Sequence, residues 1–301
     1  MGPITDAHKL TYQMNVELAV QQIRSRLEVA FMYEPSLKGR KAEILELIGQ
    51  TTAVLNLGRA ADTPNIDNQI EPIWVQPTQI AWGKLIEKED AIKALTDYQS
   101  PFVQAGAASV VRARDTIYSA AIFGDRQIGL DGAVIAAWAG KTVTVGVGAG
   151  PADDATPTGM NVRKILRARR MMQEDQVDLG MEDLYLGLNA QQQEELFRDL
   201  TYINSDYRDR HVLDAPLRVD ILDVTILPPL DGAAAIADAD ATHFQAALWC
   251  KSGMHYGDFA PVETNVPLRP DKLMRPHPMI EHWCGATRSE DKKVVKIITL
   301  K

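Results

Sequence analysis

Gly140-Lys141-Thr142 has the residue types of a phosphate-gripping loop, in which backbone N–H groups wrap an anion and the lysine reaches over it. That chemistry also needs a glycine five residues before Gly140, where Ile135 stands, and a following helix, where Val143 to Val147 is strand-like. Gly146, Gly148 and Gly150 imitate a dinucleotide fingerprint. The third glycine comes one place early, however, and Pro151-Ala152-Asp153-Asp154 opens no helix, so a loop is expected. His277, Glu281 and His282 suggest zinc-dependent hydrolysis, but the histidines are five apart and Pro276 and Pro278 forbid the regular helix that would align them. Cys250 and Cys284 add no two-residue ligand spacing, and this stretch is read as a structural loop. No Gly-x-Ser-x-Gly occurs. No catalytic, metal-binding or cofactor-binding residue is assigned, and the chain is read as not an enzyme.

Composition sets the frame in which those fragments sit. The 301 residues are 46% hydrophobic and 24% charged, an ordinary globular balance that excludes disordered and collagen-like classes. Thirty-two basic against 40 acidic residues leave a net charge of −8, which disfavours a nucleic-acid binder that must neutralise phosphates. Two cysteines cannot staple a small fold, which points to a reducing compartment. The most apolar run, Gly132 to Gly140, is about half of what a bilayer requires. The N-terminus has no apolar signal region, so a soluble protein made in the cytoplasm is expected.

The elements read as mixed α+β. Val16 to Val29 repeats apolar residues near helical spacing, and Lys41 to Ile48 offers a second short helix broken by Gly49. Residues 1–50 carry six basic and six acidic side chains, so this is not a basic arm. Thr51–Leu57 and Ile73–Trp82 are β-prone and flank the polar tip Gly58 to Asn68, which contains Arg59, Asp62 and Asp67. With only Trp74 and Trp82 as large aromatics, such a hairpin cannot fill a core and must pack on something else.

Ser100 as N-cap and Pro101 at the first helical position open the clearest element, which runs through Phe123 to Gly124. It forms a rod of roughly 35 Å whose Arg112 and Asp115 are spaced to pair on its surface. A strand is expected over Lys141–Val147. Asn161 then caps a helix from Val162 to about Glu174 that is rich in base, with Arg163, Arg167 and Arg170 on one face beside Lys164 and Arg169. That face reads as solvated or as an inter-subunit salt-bridge strip. Leu184–Leu188 is a buried strand, Asn189 caps a helix to Leu200, and Arg218–Leu227, Phe244–Cys250 and Val294–Leu300 are further strands.

Residues Ile73 to Gly124, with Trp82, Asp90, Asp97, Ser100, Pro101, Arg112 and Asp115 in order, resemble the passage from extended loop to spine helix in tailed-phage major capsid proteins of the HK97-like fold. Gly159 to Ile165, Leu184 to Leu200, Trp249 to Gly257 and Gly285 to Leu300 continue the likeness over most of residues 50–301. The resemblance implies an α+β fold with an N-terminal arm (1–50), an extended hairpin loop (51–85), a peripheral domain with the spine helix (86–158 and 258–301) and an axial domain (159–257). It implies a structural protein whose hexamers and pentamers close an icosahedral shell around double-stranded DNA, without sequence-specific DNA binding, membrane or cofactor. Its place would be the virion, after assembly in the bacterial cytoplasm. Arg59, Asp62, Asp67, Trp74, Trp82, Arg163, Arg167 and Arg170 become the candidate inter-subunit residues. The tip Gly58 to Glu71 has no lysine, so no autocatalytic cross-link is expected. The length leaves no room for a fused scaffold before the arm, so a separate scaffolding protein is expected, with a portal and decoration proteins as further partners. The same fold would also serve a nanocompartment (encapsulin) shell enclosing protein cargo, and an α+β enzyme with an unrecognised site is the reading from another class.

Overall fold

The computed structural model of the protein describes residues 21–35, 37–55, 62–63, 65–85, 99–148, 156–199 and 223–301. In chain order the elements are β1 (Met32–Glu34), β2 (Ala42–Ile48), β3 (Ile70–Val75), β4 (Thr78–Gly83), α1 (Gln99–Phe123), β5 (Arg126–Ile128), β6 (Val134–Ala136) and β7 (Thr142–Val143). There follow α2 (Val162–Glu174), β8 (Leu184–Gly187), α3 (Ala190–Arg198), β9 (Val224–Ile226), β10 (His243–Cys250) and β11 (Met254–Asn265). The chain closes with β12 (Leu268–Arg269), β13 (Arg275–Pro276), β14 (Met279–Arg288) and β15 (Val294–Leu300).

Three main sheets organise these elements. One has the order β1-β11-β14-β4 and lies against the spine helix α1, where Ile80, Val110, Ile280 and Cys284 form the contact. A second, β7-β15-β10-β8-β9, packs against α2 and α3 over Ile165, Ala168, Met172, Leu186, Leu248 and Ile297. The third, β2-β3-β5-β6, carries the extended hairpin. Strand β15 pairs with β10 from Val294↔Trp249 to Leu300↔His243 and with β7 on its other side. The closing strand is thus interior to the same sheet as 243–250.

Local chemistry explains the helices. The Asn161 side chain accepts from the Lys164 backbone at 2.9 Å, starting α2 where the sequence expects. Asn189 and Gln192 form a reciprocal capping box at α3, and the buried Gln192 amide also donates to Thr299 Oγ1 at 2.8 Å. Helix α1 already includes Gln99, so Ser100 lies within its first described turn and is not the N-cap the sequence suggests, and Pro101 is not its first residue. Gly106, an interior glycine of this helix, is required by packing: an added Cβ would stand 2.5 Å from Trp82 Cε3.

Several expectations are corrected. Residues 41–48 contain the strand β2, because Ala-Glu-Ile-Leu-Glu-Leu-Ile alternates as readily as it repeats at helical spacing and β3 supplies a ladder from Ala42↔Val75 to Ile48↔Ile70. The hairpin arms are accordingly 42–48 and 70–75; 51–55 are not strand, 56–57 lie outside the described residues, and the strand expected over 73–82 is divided between β3 and β4. Proline at 77 cannot donate to a ladder, and the chain changes sheet between β3 and β4 there. Residues 21–27 are not helical, and 16–20 lie outside the described residues. Only Thr142–Val143 of the 141–147 stretch is strand, followed by turns to Gly148. Of the strand expected over 218–227, Val224–Ile226 is present and 218–222 lie outside the described residues. Arg112 and Asp115 turn to the N-terminal segment instead of to each other.

Candidate assembly surfaces

Two arms leave the packed body. Every described residue from 48 to 70 is exposed, including Ile48, Val54, Leu55, Ile66 and Ile70. The second arm is the end of the β11–β14 hairpin: residues 261–274 are exposed apart from half-buried Pro267, and Val262, Val266, Leu268, Leu273 and Met274 all face outward. Apolar side chains exposed in succession along two hairpins are candidates for contact surface rather than core.

The sequence-derived candidates divide between surface and interior. Asp62 and Asp67 are exposed on the first arm, and Arg59 lies outside the described residues. Trp74 is half-buried and donates from Nε1 to the Gly129 carbonyl at 2.7 Å, while Trp82 packs on Gly106 of α1. Both tryptophans are thus engaged by their own chain. On α2, Arg163 and Arg170 are exposed and Arg167 is half-buried, and Arg170 pairs with Glu174 at 3.0 Å. Arg163 lines a 540 Å³ cavity with Glu195, Arg198 and Asp199. Two carboxylates there already serve the start of α2: Glu195 accepts from the Met160 backbone at 2.7 Å and Asp199 from that of Val162 at 3.0 Å.

Fragments that looked chemical have structural work instead. The Lys141 ammonium donates to the Met171 carbonyl at 3.1 Å and lies 2.9 Å from Asp175, closing the end of α2; hydrogen bonding to Asp175 raises its pKa. Glu281 and His282 belong to β14, which replaces the expected structural loop with a central strand. His282 faces Asp258 at 3.2 Å, and Glu281 accepts from Gln79 and from the Trp283 indole. Among the described residues no group of three or more His, Cys, Asp or Glu side chains is disposed to hold a metal ion. Cys250 and Cys284 are free thiols, and burial pushes each up to about 12. No described helix is long and apolar enough to cross a membrane.

Matched against protein families, residues 4–300 fit the model described as phage capsid protein. The chain belongs to that family. Curated protein sequences yield no match. Among solved structures, this capsid protein is similar to the capsid of cyanophage Pam1 (TM-score 0.68, 13% identity, 95% of each chain). It is similar also to the capsid of Ralstonia phage GP4 (TM-score 0.67, 12% identity, 95% of this chain and 94% of the other). A chain of Mycobacterium phage Che8 gives a TM-score of 0.65 at 13% identity, covering 94% of each. Likeness at such identity establishes the fold, which is the α+β HK97-like capsid fold, and the family makes the chain a structural subunit of a bacteriophage shell.

Two buried cations that support this capsid subunit escaped the sequence reading. Lys164, grouped there with a basic face, is fully buried, its ammonium donating to the carbonyls of Thr158 at 2.8 Å and Ile298 at 3.0 Å. Desolvation lowers it to about 8, against a smaller opposing pull from Glu195. Its spacing with Ala168 and Met172, four and eight residues on along the buried stripe, was the available signal. Arg288, also fully buried, closes the C-terminal end of the spine helix: Nη1 donates to Ile122 O at 2.8 Å and Gly124 O at 3.0 Å, and Nε to Asp291 at 2.6 Å. No local pattern announces it.

Proposed function

We propose that copies of this chain form hexamers and pentamers that close into an icosahedral shell around packaged double-stranded DNA. The observation that carries this reading is the pair of arms, the described residues of 48–70 and 261–274, whose apolar side chains stay exposed among the described residues. Laid on neighbours, they gain cover many times over, and a closed symmetric shell multiplies individually modest contacts into a stable particle. Asp62 and Asp67, with Arg59 from the same tip, supply polar contacts at the first arm, and the arginine face of α2 supplies them around the capsomer. The net charge of −8 suits a container that encloses DNA without gripping its sequence.

The assembly partners are a separate scaffolding protein, a portal and, where extra support is needed, decoration proteins; assembly takes place in the bacterial cytoplasm. Subunits stay uncross-linked, since the tip from Gly58 to Glu71 offers no lysine. Electron microscopy of particles made in the presence of the phage's other head proteins tests this. Icosahedral shells that fill with DNA support it. Closed shells filled with host protein would favour the nanocompartment reading, and a subunit that never assembles would overturn both. Mature particles should run as monomers on a denaturing gel, and a ladder of covalent oligomers would refute the absence of cross-linking.

A further inference from the structure

Residues 21–34 form a strap that crosses the seam between the two halves of the body. On the spine side Asp115, fully buried in α1, accepts from the Gln22 amide, the Ser25 hydroxyl and the Arg26 backbone N–H, the last at 3.0 Å. Arg112 donates to Gln21 Oε1 at 2.8 Å, Arg114 pairs with Glu28 at 3.3 Å, and buried His255 meets Glu34 at 3.2 Å. Strand β1 then lies parallel on β11, with Glu34 opposite Gly257. The approach is so close that a Cβ on Gly257 would stand 2.7 Å from the Glu34 carbonyl and 2.4 Å from Leu37 Cδ1.

On the other side the strap reaches the five-stranded sheet. Arg26 donates to the Pro229 carbonyl, and the Trp249 indole donates to Ala30 O at 3.0 Å. Between these polar ties Leu27, Ala30 and Phe31 are buried as a wedge touching both halves. They share one cluster with Tyr118 and Ile122 of α1, Met254 and Tyr256 of β11, and Tyr185, Leu230 and Trp249 of the far half. Phe31 stacks on Tyr118 at 5.5 Å and meets Trp249 edge-on at 6.2 Å. Among the described residues each polar contact of the buried Asp115 carboxylate lies on the strap, so withdrawal would strip that charge of those three donors.

We propose that residues 21–34 are a detachable brace that sets the angle between the spine half and the five-stranded half of the subunit. Docked, it holds one angle; withdrawn, it lets the two halves turn against each other about the seam. Subunits sharing one sequence could then take the different curvatures that five- and six-fold positions demand.

Two variants of the full chain, Asp115→Asn at one end of the strap and Gly257→Ala at the other, test the brace without truncating it. Amide hydrogen exchange should quicken across all of 21–34 by roughly ten- to hundredfold in either variant, along with the seam segments 118–123 and 227–236, while the β10–β15 ladder keeps its protection. Spin labels at Ala107→Cys and Leu166→Cys, both exposed and on opposite halves, should give one narrow distance distribution in the parent and a broad one in each variant. Exchange that rises evenly over the whole chain, exchange confined to the altered residue's neighbours, or an unchanged narrow distance with the strap exchanging fast would each overturn the brace. These readings use the unassembled subunit, so they stand or fall independently of what the shell encloses.

Discussion

Replacing Gly106 with alanine sets two effects of similar size against each other. The position is interior to α1, where alanine is favoured over glycine by about 1 kcal/mol. Against this, the new Cβ would lie 2.5, 2.6 and 2.8 Å from Trp82 Cε3, Cζ3 and Cδ2, well inside the ordinary carbon contact of about 3.5 Å. The ring cannot simply swing away. Trp82 sits on β4 opposite Ile280 of β14 and packs against the cluster of Ile80, Val110, Ile280 and Cys284. Overpacking of this kind costs about 1–3 kcal/mol, so Gly106→Ala should destabilise by about 1 kcal/mol net. In a Trp82→Ala background the obstruction is gone and the same substitution should stabilise by about 1 kcal/mol. Urea unfolding of the four chains, followed by circular dichroism at one protein concentration, gives the cycle. The reasoning fails if Gly106→Ala stabilises the parent, or if its effect is the same with and without Trp82.

Removing the spine-helix closure by Arg288→Met should cost about 2–4 kcal/mol because it strips the Ile122 and Gly124 carbonyls of a buried donor and leaves Asp291 only the more distant Arg126, whereas Arg170→Ala, at an exposed pair, should cost under about 0.5 kcal/mol; paired urea midpoints check the ranking. Lys164 is held at about 8 in the folded chain against an ordinary 10.5, so between those values the unfolded chain keeps a proton the folded chain has shed. Its contribution to stability therefore rises with pH through that window and is lost as pH falls through about 8. The stability difference between the parent and Lys164→Met should grow in the parent's favour from pH 7.5 to 9.5, and a flat difference would refute the assignment. Cys250 and Cys284, each pushed up to about 12 by burial, should resist a thiol reagent at pH 8 until denaturant is added.

What the sequence disclosed was whatever a few adjacent residues decide. Asn161 and Asn189 announce their helices because the cap and its acceptor lie three residues apart. Val294–Leu300 reads as a strand because its apolar pattern is complete within seven residues. Strand β2 was misread because only its partner, more than 20 residues downstream, decides between two periodicities that the segment satisfies equally. Asp115 and Arg112 look like a surface pair until residues some 90 positions earlier fold over them. The carbonyls that hold Lys164 are hidden from sequence for the same reason, although its place on the buried stripe of α2 is not, since one of the two lies 134 residues away. Of the candidate contacts, the exposed carboxylates of the first arm were legible as a polar tip. The second arm, 261–274, gave no warning, because a twisted hairpin's exposed valines and leucines look like core until the sheet beneath them is known to be full.

The place of β15 has a temporal consequence for the folding chain. The five-stranded sheet takes its central ladder from residues 294–300, which pair with a strand near 245 and another near 142. While a ribosome still holds that segment in its exit tunnel, β7 and β10 lack their common neighbour and the body stays open. A half-made subunit therefore has no finished platform from which to offer its arms.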